Sequence, residues 1–251
     1  MVLHLLTAPR SAPPLIQERP GIVAGSPWRT LYRVAAGAAL LVAAVIPIQT
    51  VIYLLSPPPD TVIEWFNLYD RNPLHALVDM DLLYMVDNAF AALVIIALAV
   101  VLFRASPSLT AIGATFGLLG IAVFFASNPA FAMLSLSRDY ASAATAAERT
   151  MYLAAGEATM ATWQGSSYLV SYELGAIATV ILSLVMLRSS VFSRITAYIG
   201  IATGVLMLWP PVNTAGIVVS LLSLLPLLIW YVLIARRFLA TSTGSPQTEW
   251  N

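Results

Sequence analysis

Cysteine is absent from this chain, and so is lysine. Without cysteine there are no disulfides, no thiolate nucleophile and no cysteine-ligated metal. Without lysine there is no retinal Schiff base or other lysine imine, the chemistry a small multi-helix membrane protein would otherwise invite. Charge is scarce too. Only 10% of the 251 residues are charged, against 59% hydrophobic, which is too apolar for an ordinary soluble domain. No nucleophile elbow, phosphate-binding loop, dinucleotide fingerprint or zinc-protease helix occurs. No cofactor is implied.

What the chain has in abundance is long uncharged stretches, at the length of about 20 residues that a helix needs to cross a hydrocarbon core. Six are expected, over 34–55, 82–103, 108–125, 165–187, 195–209 and 212–234. The fold class expected is therefore all-α: a polytopic membrane bundle of six transmembrane helices over 29–240, with a helical extracytoplasmic cap at 126–164. In that cap the alanine-rich run Thr145 to Trp163 reads as a helix. A crossing by 126–164 would bury Arg138, Asp139, Glu148 and Arg149, so the segment is placed outside the bilayer. Residues 1–28 and 241–251 read as cytoplasmic tails, the first disordered. Since 1–28 hold prolines and arginines but no apolar core, the first span is expected to act as an uncleaved insertion signal.

The twelve arginines sort by side. Nine (Arg10, Arg19, Arg29, Arg33, Arg104, Arg188, Arg194, Arg236, Arg237) lie in the tails or beside short links, with Glu18 and Glu249. Arg71, Arg138 and Arg149 share the other side with ten acids, so a zero net charge hides a split of seven charges each way. Arginine excess marks the cytoplasmic face, which puts both termini inside and the chain in the plasma membrane. Topology accounts for the arginines, and no nucleic-acid role follows.

Two acids fall inside the spans. A carboxylate at mid-helix costs about 2.5–3.5 kcal/mol on insertion scales, so Asp87 and Glu173 are the first candidates for function. Both are entered from the outer side, at a depth similar to Gln49 and Asn88. Ser166, on the same helical face as Glu173, together with Ser171 and Tyr172, would extend a polar pocket opening outward. Tyr84 would orient a ligand, and Trp163, Gln164 and Trp65 would lie at the mouth. Trp65, Phe66 and Tyr69, in an amphipathic stretch over 60–72, also suit a bilayer interface. The same polar groups could instead serve only to hold helices together.

His75 and Asp79, at i and i+4, face the same way and could bind a hard divalent cation with Glu148 or Glu157. Asp79 and Asp81 stand about 200° apart on a regular helix and cannot chelate together. Gly113, Gly117 and Gly120, and Gly200 with Gly204, have the small-residue spacing of close helix approach. That spacing serves packing within the bundle or a homo-oligomer face.

Several stretches resemble a bacterial family of uncharacterised multi-pass membrane proteins, catalogued as a domain of unknown function. They are Asn72-Pro73-Leu74 with Asp81-Leu82-Leu83-Tyr84, and Ala126-Ser127-Asn128-Pro129-Ala130-Phe131 with Leu134-Ser135. Gly165-Ser166, Val185-Met186-Leu187-Arg188 and Ile229-Trp230-Tyr231 complete the likeness, over about residues 30 to 240. The resemblance implies the membrane architecture and supplies no activity. The reading expected is a membrane protein whose acid-lined pocket binds a small amphipathic or cationic ligand, for sensing or transport. Alternatives are an intramembrane enzyme acting on a lipid or isoprenoid, with Asp87 or Glu173 as general acid, and a proton-coupled carrier using the same carboxylates.

Overall fold

The computed structural model describes residues 27–210 and 213–243. The expected tails over 1–28 and 241–251 lie almost wholly outside the described residues, as does Val212. All regular structure among the described residues is helical, in ten elements: α1 (Arg29–Leu55), α2 (Val62–Arg71), α3 (Pro73–Asp79), α4 (Leu82–Leu102), α5 (Pro107–Ser127), α6 (Ala130–Ser142), α7 (Ala146–Trp163), α8 (Ser166–Met186), α9 (Arg194–Met207) and α10 (Thr214–Thr243).

Six of these form a ring. Helices α1, α4, α5, α8, α9 and α10 each pack on the next, and α10 returns to α1. Arg29 Nε seals the closure by donating to the Ser242 carbonyl at 2.6 Å. Five helical stretches are long and apolar enough to cross a membrane: Arg29–Leu55, Leu82–Leu102, Pro107–Ser142, Ala146–Met186 and Thr214–Ser242. The sequence reading expects six. The fifth expected span is α9, whose 14 residues make only about 21 Å of helix, short of a hydrocarbon core of about 30 Å. Large apolar side chains such as Leu54, Leu119 and Leu222 point away from the ring, as expected of a protein whose solvent there is lipid.

Small residues let the ring close tightly. A Cβ on Gly120 would stand 2.9 Å from the Ser171 carbonyl oxygen of α8, and one on Gly204 would stand 2.9 Å from the Val180 backbone nitrogen. Both glycine series therefore face α8 inside the bundle, which is the packing role.

The cap is assembled from α2, α3, α6 and α7. Capping boxes start two of them: Thr61 with Glu64 on α2, and Thr145 with Glu148 on α7. Asn72 caps α3 by accepting from the His75 amide at 3.1 Å, with Pro73 in the first turn. Trp65, Phe66 and Tyr69 are fully buried here with Met80, Ala130 and Met133. They form the core of the cap, which corrects the expectation of a bilayer-interface belt for these residues. The Tyr69 hydroxyl donates to the Ala130 carbonyl at 2.8 Å and ties α2 to α6.

A second correction concerns the entry to α4. The sequence suggests one helix running inward from near Leu74, but α3 stops at Asp79. Asp81 has φ 68°, the one positive φ at a non-glycine residue among those described. Aspartate tolerates this left-handed conformation better than most residues, at a cost of about 1 kcal/mol or more. The break lets α3 fold into the cap while α4 enters the ring.

Candidate ligand cavity

Two cores lie at opposite ends of the molecule. One is the cap cluster. The other, at the arginine-flanked end, joins Tyr32, Leu102, Met186, Phe192 and Phe238 of the ring. Between them the ring encloses a cavity of about 110 Å³. Helix α4 contributes Tyr84, Asp87 and Asn88 at the cap-side end and Val94 and Leu98 deeper in. Helix α5 adds Gly117, Gly120 and Phe124, and α8 adds Ser171, Tyr172, Gly175, Thr179 and Leu182. Met207 of α9 and Leu227, Trp230 and Tyr231 of α10 complete the wall.

Asp87 is 8% exposed, and its Oδ1 is sealed with no hydrogen-bond partner. It sits in the second turn of α4, about 8 Å along the helix from its start. A buried charge without a counter-charge is among the costliest features a fold can carry, and a membrane raises the cost further. No neighbouring polar group donates to it, and several have committed donors elsewhere. Asn88 Nδ2 donates to the Tyr84 carbonyl at 2.9 Å. Ser171 Oγ donates to the Tyr168 carbonyl at 2.7 Å, and Thr179 Oγ1 to the Gly175 carbonyl at 2.8 Å. The Tyr172 hydroxyl is paired with Ser220 Oγ at 3.0 Å.

Of the expected pocket residues, Tyr84, Asp87, Asn88 and Tyr172 meet at the cavity, with Ser171. Five do not. Glu173 lies two residues from Gly175, which turns it roughly 160° away from the cavity face of α8. Gln49 belongs to α1, which contributes nothing to the wall. Ser166 and Gln164 are exposed at the α7–α8 junction. Trp163 lies in the cap, where its Nε1 donates to Asp81 Oδ2 at 2.9 Å and its ring meets Trp65 edge-on at 6.3 Å. Carboxylates expected to act as a pair are therefore separated, and Asp87 stands alone in the cavity.

Asp81 is the cap-side residue that the spacing argument dismissed. Burial lifts its carboxyl to about 6, opposed by the Trp163 hydrogen bond. Burial also raises Asp79, opposed by His75. His75 Nε2 lies 3.2 Å from Asp79 Oδ2 and 3.2 Å from Ser56 Oγ. The pair gains no third ligand: Glu148 is turned back onto the amides of Ala144 and Thr145, and Glu157 is exposed. No group of three His, Cys, Asp or Glu side chains able to hold a metal exists among the described residues. Where a divalent-cation site was expected, the structure has a two-residue contact between the half-exposed His75 imidazole and the buried Asp79 carboxyl.

Compared with family models, curated proteins and solved structures, the chain matches none. Its class therefore rests on its own helices: an all-α bundle with membrane-spanning stretches.

Proposed function

We propose that this protein is a membrane-embedded binding protein whose ring cavity holds a small cationic or amphipathic ligand at Asp87, in the service of sensing or transport. One observation carries the reading: a carboxylate buried among five helices, in a cavity, with no partner from the protein. Polar glue would end in paired groups. Asp87 is the acid here that packing leaves unpaired, with Trp230 Nε1 the other unpaired group of the wall, whereas Tyr172–Ser220 shows what a finished interhelical bond looks like. The cavity is below the 300–1,000 Å³ typical of drug-sized ligands, so a whole lipid or isoprenoid would not fit within it.

The same reading places the cap outside the cell and the arginine-flanked end in the cytoplasm, in the plasma membrane. Kinship with the uncharacterised multi-pass family is part of this proposal and adds no activity to it. Orientation is testable because the chain has no cysteine. In intact cells a membrane-impermeant maleimide should label Ala147→Cys in the cap and spare Ser190→Cys at the other end. The reverse pattern refutes the orientation. For the site, mass spectrometry of small molecules released from the purified wild type should find a species missing from Asp87→Asn. If both preparations carry nothing, and Asp87→Asn only shifts the melting temperature, the residue is structural and the reading fails.

A further inference from the structure

Resting on that reading, we infer that the ligand is a primary alkylammonium ion, its head among the oxygens of Asp87 and Asn88 and its tail directed past Ala91 toward Val94. Hydrogen-bond accounting gives the head. Ser171 and Thr179 have spent their single donors on helix carbonyls and Asn88 one of its two, so hydroxyl and amide oxygens are left as acceptors, with the second Asn88 N–H and Trp230 Nε1–H the unspent donors. Asp87 when charged accepts only. The phenols of Tyr84 and Tyr231 can serve either way. A wall rich in acceptors calls for a ligand rich in donors, and –NH₃⁺ has three of them with a full positive charge. An anion would meet Asp87 with repulsion. A quaternary ammonium would enjoy the aromatic faces of Phe124, Tyr172 and Trp230 but would leave the acceptors unmet.

The gradient along the cavity gives the tail. Its polar residues on α4 sit at positions 84, 87 and 88, while 94, 95 and 98 are Val, Ile and Leu. Position 98 lies about 16 Å further along the helix than Asp87. A bare metal cation would find one carboxylate and one amide in this wall, far from the six or so oxygens a hard cation takes. At about 110 Å³ the space is somewhat smaller than a cavity of ~150 Å³ that takes benzene, so the tail is a few carbons long.

The test uses the purified full-length protein in detergent with n-butylammonium, n-butanol, tetramethylammonium and sodium as chlorides or neutral additive at matched ionic strength. The melting temperature is followed against concentration. Butylammonium should stabilise saturably and the other three should not. Asp87→Asn should weaken butylammonium binding about tenfold or more, the scale of a lost charge-assisted hydrogen bond. Gly175→Leu, built where a Cβ meets nothing within 4 Å in the wall, should block binding while the protein stays folded. Saturable stabilisation by tetramethylammonium or sodium but not butylammonium overturns this ligand class and leaves the site standing. If no compound binds, the inference falls. The reading beneath it falls as well only if the wild type also releases no small molecule that Asp87→Asn lacks.

Discussion

Two glycines on neighbouring helices of the ring, Gly120 of α5 and Gly175 of α8, should respond to the same substitution in opposite directions. Replacing glycine by alanine inside a helix gains about 0.5–1 kcal/mol from propensity alone. At Gly175 a Cβ meets no atom within 4 Å, because it points into the cavity. The full gain should therefore appear, and Gly175→Ala should stabilise the unliganded protein by about 0.5–1 kcal/mol. At Gly120 the new methyl stands 2.9 Å from the Ser171 carbonyl oxygen and 3.2 Å from Leu174 Cβ. Backbone cannot rotate aside as a side-chain tip can, so α5 and α8 must separate. Over-packing of this kind costs about 1–3 kcal/mol, leaving a net loss of about 1–2 kcal/mol after the propensity gain. Unfolding by SDS in mixed micelles, followed by tryptophan fluorescence and helical circular dichroism, measures both variants without ligand. The reasoning is refuted if Gly175→Ala destabilises as much as Gly120→Ala, since the space assigned to the cavity would then be filled.

Further outcomes concern the cap. Asp81 is raised from 3.8 to about 6, so between those values the folded protein holds more proton than the unfolded chain. Stability attributable to this group should therefore increase as pH falls from 7.5 to 5, by roughly 1.4 kcal/mol, and Asp81→Asn should flatten the melting profile over that window. Indistinguishable profiles would exclude the assignment. Trp163→Phe keeps the ring against Trp65 but removes the donor to Asp81, and should lower stability at pH 7.5 by roughly 1.5–3 kcal/mol. Tyr69→Phe removes the hydroxyl bond to the Ala130 carbonyl, which α6 itself still satisfies through its own ladder, and should cost about 0.5–1.5 kcal/mol while leaving butylammonium binding unchanged. A matching loss of binding would mean that cap and cavity are one cooperative unit.

Much of the architecture was readable because lipid is a demanding solvent. Uncharged runs reveal α1, α4, α5, α8 and α10 within a few residues, except that α10 continues to Thr243 where the sequence suggested Ile234. The helix Ala146–Trp163 followed from its alanine-rich run. The site was half readable. Asp87 stands out because its cost inside a span demands a reason, but the same argument selected Glu173, and hydropathy cannot say which side of α8 meets its neighbours. Trp230 and Tyr231 escaped because their place in the wall depends on α10 closing a ring begun more than 100 residues earlier. Asp81 escaped for a backbone reason: spacing on a regular helix says nothing about a residue whose φ ends the helix.

Ring closure also sets when the cavity comes into being. Five of the six ring helices can be in the membrane, each beside its predecessor, while one side of the chamber still lies open to acyl chains. Only when the final helix lodges against the first do Trp230 and Tyr231 shut that gap. Docking of α10 is therefore the step that completes the burial of Asp87, so the costliest side chain of the bundle is housed by the helix made last.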